Sequence, residues 1–245
     1  TALPHLRQVE ISGPHNSTGI SETPSREKVF TCRPTSLNEE RTCAELIISR
    51  LASQAYRRPV TGEDIAGLVS LYESGGEEGG FEAGVRTALQ AILASPSFVF
   101  RLENEPEGAT KGQSYLLSDV DLASRLSFFL WGRLPDDELL ELAGKGNLTE
   151  SGGLERQVER MLADPRSEAL ATRFAALWLR LQDMDQVQPD AFWFPNFDRQ
   201  LADAMRRETE LLFHHLVRED RSFFELFTAD YPFVNERLAR HYDIP

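Results

Sequence analysis

Ser118-Asp-Val-Asp-Leu-Ala-Ser-Arg-Leu-Ser-Phe-Phe-Leu-Trp-Gly-Arg-Leu-Pro-Asp-Asp-Glu138 holds one helix start, a stop and a second start. The Ser118 hydroxyl can accept from the amide of Asp121, satisfying an N–H group that has no partner inside the helix. Gly132 and Pro135 interrupt the pattern. Asp136-Asp137-Glu138 then places negative charge at a new helix start, where the macrodipole stabilises it. Calcium binding is the rival reading of that acidic triplet. Outward from this stretch the same punctuation recurs, with Ser36 and Glu39 spaced as a capping pair and Thr61-Gly-Glu-Asp64 repeating the spacing.

The spacing predicts helices over 37–56, 62–74, 80–94, 119–132, 136–144, 152–163, 167–182, 197–218, 222–228 and 233–241. Breaks are expected at Pro59, Gly75-Gly76, Ser95-Pro96, Pro135, Gly152-Gly153, Pro165, Pro189, Pro195 and Pro232. The fold class is therefore mainly α, as two packed multi-helix units with a short extended N-terminal arm. Residues 1–35 form the arm, with one strand expected from Leu6 to Ile11 and a loop after it. A small helical unit spans 36–103, with a second strand signal at 98–102. The polar stretch 104–114 is a linker, and a larger helical unit, truncated at its C-terminal end, spans 115–245. Asn16-Ser-Thr18 matches a glycosylation sequon, a pattern short enough to arise by chance.

The 245 residues include 26 basic and 39 acidic side chains, a net charge of −13, which argues against a nucleic-acid-binding surface because phosphate neutralisation needs a basic stripe. No apolar run reaches the roughly 18 residues of a transmembrane helix. The chain begins at Thr1 without a charged n-region or an apolar h-region, so a soluble fragment or mature segment is expected. Its two cysteines, Cys32 and Cys43, belong to no CxxC, CxxCH or zinc-type pattern. A bridge between them would clip the arm to the first helix and imply a periplasmic or extracellular setting; two unlinked thiols are the alternative. Bridging requires Cα atoms within about 7 Å.

Ala55-Tyr-Arg-Arg-Pro-Val-Thr61, Gly80-Phe-Glu-Ala-Gly-Val-Arg-Thr-Ala-Leu-Gln-Ala-Ile-Leu-Ala-Ser-Pro96 and Phe98-Val-Phe-Arg-Leu-Glu103 resemble the bacterial domain of unknown function fifteen-ninety-five. Leu122-Ala-Ser-Arg-Leu-Ser-Phe-Phe-Leu-Trp131, Leu134-Pro-Asp-Asp-Glu-Leu-Leu140, Arg206-Arg-Glu-Thr-Glu210 and Ala229-Asp-Tyr-Pro-Phe-Val-Asn-Glu-Arg-Leu-Ala-Arg-His241 resemble domain fifteen-ninety-two, which usually follows it. Both are frequent in planctomycetes and myxobacteria. The resemblance implies a place in an exported multidomain protein, often with a c-type cytochrome domain upstream. No cofactor is expected on this chain; a haem c would sit on a missing domain or partner. Expected partners are other domains or chains of the same protein, including a c-type cytochrome, with no nucleic acid and no transmembrane segment.

On the helix over 197–218, Leu201, Met205, Leu212 and Leu216 share a face at 100° per residue, with Glu208 and His215 near its middle. Two polar groups in an apolar stripe need partners, and Arg125 could meet Glu208 bidentately. A structural ion pair is one reading; a catalytic or ligand site built from Glu208, His215 and Arg125 is the other. Asp203, Arg207, Glu210, His214 and Arg218 form the opposite stripe, read as solvated salt bridges, with a metal shared by Glu210 and His214, four residues apart, as the alternative reading. Phe128, Phe129, Trp131, Phe174, Trp178, Phe192, Trp193, Phe194 and Phe197 are expected to pack into the core, although Ala191-Phe-Trp-Phe-Pro-Asn-Phe197 is a loop that could plug a groove or face missing domains. No GxSxG, P-loop, HExxH or GxGxxG occurs. A helical scaffold or interaction module is the leading functional expectation. The alternative is part of an oxidoreductase whose site is completed outside the chain.

Overall fold

A computed structural model describes residues 8–13, 15, 22–103, 105, 106, 108–150 and 152–245. The architecture is mainly α, and no strand forms among the described residues. Helix α1 (Pro24–Val29) precedes α2 (Leu37–Tyr56), α3 (Gly62–Ala94) and the short α4 (Pro96–Val99). The second group contains α5 (Asp119–Leu130), α6 (Asp137–Gly144), α7 (Gly153–Ala163) and α8 (Ala176–Trp178), then α9 (Arg199–Arg218), α10 (Glu225–Thr228) and α11 (Glu236–His241).

The arm differs from the sequence expectation. Gln8–Ile11 is irregular, and Leu6, Arg7 and the Asn16-Ser-Thr18 sequon lie outside the described residues. Thr23 accepts from the amide of Arg26 and Pro24 supplies the first-turn φ, which together start α1 where a loop is expected. Arg26 then anchors α1 to α3 by a fork onto Glu82. Residues 98–102 form no strand either, being the end of α4 and irregular chain.

In the first group, Cys43, Ala44, Ile47, Ile48, Ala52 and Ala55 line the buried face of α2. The small residues let α3 approach while the isoleucines fill the gap, each contributing about 2 kcal/mol by leaving water. The break expected at Gly75-Gly76 falls instead at Gly79-Gly80, where Gly80 takes φ of +74°, a left-handed conformation that glycine adopts without a Cβ clash. The limbs of α3 fold back against each other there: a Cβ on Gly84 would lie 2.5 Å from the Tyr72 carbonyl oxygen, and one on Gly75 would collide with Thr87 Oγ1. Thr61 and Asp64 form the expected reciprocal cap, whereas Ser36 makes no side-chain cap; Glu39 accepts instead from the amide and hydroxyl of Thr35, both at 2.8 Å.

Cys32 and Cys43 are joined by a disulfide, with Cα atoms 5.9 Å apart. Arg57 ends α2 at φ of 59°, and its buried guanidinium donates to the carbonyls of Ala55, Ser97, Phe98 and Phe100 at 3.1, 2.6, 3.3 and 2.7 Å. One side chain thus satisfies the frayed ends of two helices.

The second group centres on Trp131, whose indole N–H donates to the Met161 carbonyl at 2.8 Å. Arg166 stacks on its ring, 3.5 Å from the centroid. Asp136 caps α6 through the amide of Leu139 and receives a fork from Arg160 at 2.8 and 3.0 Å, as a capping role requires. Burial raises the Asp136 carboxyl pKa, but Arg160, the Leu139 amide and Arg166 more than reverse this and leave it below its ordinary value. The two groups meet through Gln54 on Asp137 at 3.1 Å and through Arg101 over the Phe128 ring.

The helix expected over 167–182 is not uniform. A 3-10 turn at Pro165–Ser167 leads into a π-helical turn at Leu170–Ala175, and the chain breaks at Arg180, with φ of 58°. A π turn holds an extra residue, so the helix beyond it is rotated by roughly 100° from α-helical register. That rotation moves Phe174 and Trp178 off the buried face defined by Leu170, Ala171 and Ala175.

Candidate functional site

Helix α9 has buried contacts on two sides. Leu201 and Ala204 pack with Leu238 of α11, while Phe213 enters the core around Trp131. The buried residues Leu201, Ala202, Ala204, Glu210, Phe213 and Leu216 therefore cover a wide arc instead of one stripe. Glu210, expected in solvent, is only 8% exposed and accepts from Arg207 at 3.2 Å. Burial pushes the pKa of the neighbouring His214 down.

Glu208 and His215, expected at the centre of the stripe, are half-buried. Glu208 lines a cavity of about 600 Å³ between α9 and the segment from Leu226 to Phe233. Its carboxylate accepts from the Tyr242 hydroxyl at 2.8 Å; burial and this carboxylate push the Tyr242 phenol up to about 12. His215 is not on the lining. It stands behind it, against the rings of Tyr231 and Phe233 at centroid distances of 5.8 and 5.4 Å. Arg125 does not join Glu208: it is exposed and forks onto Glu103, one bond being 2.7 Å. The expected triad is thus dispersed, because Glu103 at the end of the first unit offers Arg125 a carboxylate that periodicity on α9 could not reveal.

Asp230 and the rings of Phe227, Tyr231 and Phe233 complete the functional part of the lining. Tyr231 is fixed by donating to Glu225 at 2.9 Å. Sequence reasoning passes over these residues because Ala229–His241 reads as a family motif and as a helix beginning at 233, whereas α11 starts only at Glu236.

From Phe227 a row of rings runs outward over the surface. Phe227 meets Phe223 at 6.3 Å, Phe223 meets Trp178 at 5.6 Å, Trp178 stacks on Phe174 at 6.3 Å, and Phe174 meets Phe129 edge-on at 5.5 Å. Trp178 remains 48% exposed, Phe223 50% and Phe227 71%. The core expectation thus holds for Trp131 and for Phe197, which packs against Leu201, Ala204 and Leu238, and fails for Phe129, Phe174 and Trp178. It fails too for Phe192, Trp193 and Phe194, which a turn organised by Asp190 presents to solvent. Exposed leucines scattered singly need no explanation, whereas five touching rings form a patch that water solvates poorly.

Among the described residues, no group of three or more His, Cys, Asp or Glu side chains is placed to hold a metal ion. No helix there is long and apolar enough to cross a membrane. No curated protein and no solved structure matches the chain. A family model described as "PSD5: Protein of unknown function (DUF1595)" matches residues 43–103, and one described as "PSD4: Protein of unknown function (DUF1592)" matches residues 117–244. The second model spans the row, the cavity and more than half of the sequence, so the chain belongs to the DUF1592 family, with a DUF1595 segment ahead of it.

Proposed function

We propose that the chain is a helical interaction module of an exported, cytochrome-c-linked multidomain protein, and that the aromatic row is its docking surface. The observation that carries this reading is the continuity of the row: five rings from three separate parts of the second unit meet edge to face, tilted or stacked while staying open to solvent. Aromatic side chains are enriched at the centres of protein interfaces, where they bury large areas with little loss of rotamer freedom. The π-helical turn supports the reading, since such turns cost regular hydrogen bonding and concentrate at functional positions.

Export is supported by the disulfide, which persists in oxidising compartments. The chain's own residues do not suit a covalent haem: its two cysteines are bonded to each other and neither belongs to a CxxCH motif. A haem c would therefore belong to other sequence. A share in an oxidoreductase site draws less support, with Arg125 held by Glu103 and His215 set behind two rings.

Photo-crosslinking tests the docking role. A photoreactive phenylalanine analogue at position 178, installed in the producing cell, is expected to give an adduct of discrete mass. The same analogue at exposed Leu46 on α2 is expected to give none. No adduct from position 178, or the same adducts from both positions, would contradict the proposal.

A further inference from the structure

The cavity beneath the row has a chemistry that docking alone does not explain. Two carboxylates, Glu208 and Asp230, belong to a lining otherwise made of apolar and aromatic side chains and Thr209, and among the described residues that lining holds no basic group. Glu208 has a neutral partner, the Tyr242 hydroxyl, and forms no ion pair among the described residues. Nearby, Asp185 receives Arg199 and Arg206, Glu225 receives Arg221, and Asp198 receives Arg237. Neither cavity carboxylate has such an arginine among the described residues; Glu208 is half-buried and Asp230 exposed at the cavity's edge, so both charges are open to an incoming cation.

The walls are also organised. Tyr231 and Phe233 lie 6.1 Å apart, centroid to centroid, with His215 wedged against both, the Tyr231 hydroxyl tied to Glu225, and Arg221 over the Tyr231 ring at 6.0 Å from its centroid, which leaves the Phe227 and Phe233 rings as the main open faces. Aromatic faces attract cations through their quadrupole, more strongly where water is partly excluded. A carboxylate beside such faces supplies the ionic half of the same recognition, and about 600 Å³ lies within the range of small-molecule sites. An anion would meet two like charges, and a purely apolar ligand would desolvate both carboxylates without compensation.

We propose that this cavity binds an organic cation, an ammonium or guanidinium group carried on an apolar body, with Glu208 and Asp230 as its counter-charges and Phe227, Tyr231 and Phe233 as its aromatic walls. The cation has two possible sources, a free amine or a basic side chain of a polypeptide. The site does not depend on the row being a docking surface, because it is read out by a soluble ligand on the isolated chain.

The test is calorimetric titration of the whole chain with phenethylammonium, with the neutral 2-phenylethanol as its uncharged counterpart, and with N-acetyl-phenylalanyl-arginine amide. Saturable binding of phenethylammonium at least about tenfold tighter than of 2-phenylethanol is expected, a factor in the range of one cation–π contact assisted by a carboxylate. Glu208→Gln keeps the side-chain shape and an acceptor for Tyr242, and Asp230→Asn removes a charge without changing volume, so both are expected to leave the circular dichroism unchanged. Each should reduce the charged ligand's advantage several-fold, and the double variant should abolish it. Tighter binding of the arginine peptide would assign the cation to a polypeptide; equal or tighter binding of phenethylammonium would assign it to a free amine. Equal affinity for charged and neutral ligands, no saturation by either cation, or a preference that survives in the double variant would overturn the proposal.

Discussion

The two helical groups treat their aromatic and charged side chains in opposite ways. In the first, Tyr72 and Phe81 turn inward against each other, at 6.0 Å, and Arg57 is buried to saturate four carbonyls. In the second, Trp131 and Phe213 are enclosed, while Phe129, Phe174, Trp178, Phe223 and Phe227 reach the surface and two carboxylates line a cavity. The first group exposes its apolar side chains mostly singly, as at Leu37, Leu46 and Leu71, whereas the second gathers exposed rings into one contiguous row. The residues on which the proposed docking surface and cation site rest therefore all lie in the second group.

The first group is most exposed to attack at Arg57. Arg57→Met should cost about 2 to 3 kcal/mol, because the buried Ala55 carbonyl and the partly buried Ser97, Phe98 and Phe100 carbonyls lose their donor together. Arg57→Lys should not restore it, since one ammonium cannot reach four acceptors in a planar fork. Chemical denaturation measures both; a loss below about 1 kcal/mol would show that water already reaches those carbonyls.

Replacing Cys32 and Cys43 by serine should cost about 3 kcal/mol in the chain-entropy model for a bridge of sequence separation 11, and should release the arm from α2. Proteolysis of the arm, faster in the double variant than in the parent, is the matching readout. Gly84→Ala should cost about 2 kcal/mol by overpacking, because the nearest obstacle to a new Cβ is the Tyr72 carbonyl, which is backbone and cannot swing away. An unchanged melting midpoint would mean that the limbs of α3 are not in contact.

Both groups should be acid-sensitive: in the first, the Arg58 guanidinium beside Asp64 holds its carboxyl well below the usual carboxylate range, and the second offers a comparable pair. The Arg166 guanidinium beside Asp164 holds its carboxyl at about 2, and Asp136 is also held below its ordinary value. A folded-state pKa below the unfolded one gives stability that is present above about pH 4 and is lost as pH falls towards 2. The loss through Asp164 should be about 1 kcal/mol, since its side chain is a quarter exposed and solvent screens the pair. Thermal unfolding of the parent against Asp164→Asn should show the difference between them shrinking below pH 4; a constant difference down to pH 2 would remove the ion pair from the account.

Much of this division is legible in the sequence, and the rest is hidden for physical reasons. Thr61 with Asp64, Ser118 with Asp121 and Pro135 with Asp136 locate helix starts because capping is local chemistry. The disulfide is legible because an extended segment followed closely by a helix brings two cysteines into reach. Phe174 and Trp178 escape the pattern because periodicity assumes an unbroken α-helix, and the π-helical turn at Leu170–Ala175 changes the register. Glu208 and Glu210 exchange their expected environments because α9 packs on two sides, so no single stripe marks its buried face. Asp230 and Tyr242 could not be linked to Glu208 from spacing, since the cavity is formed by chain segments that meet only in the folded molecule.

The central claim, that the second group carries a docking surface and the first does not, is tested most directly by hydroxyl-radical footprinting of the same chain purified and in its producing cell. In the purified chain Phe174, Trp178, Phe223 and Phe227 should be oxidised readily, along with exposed Leu46 and Leu71 of the first group. In the cell the four aromatic residues should become protected while Leu46 and Leu71 keep their labelling. Equal oxidation of the aromatic row in both settings would contradict the account.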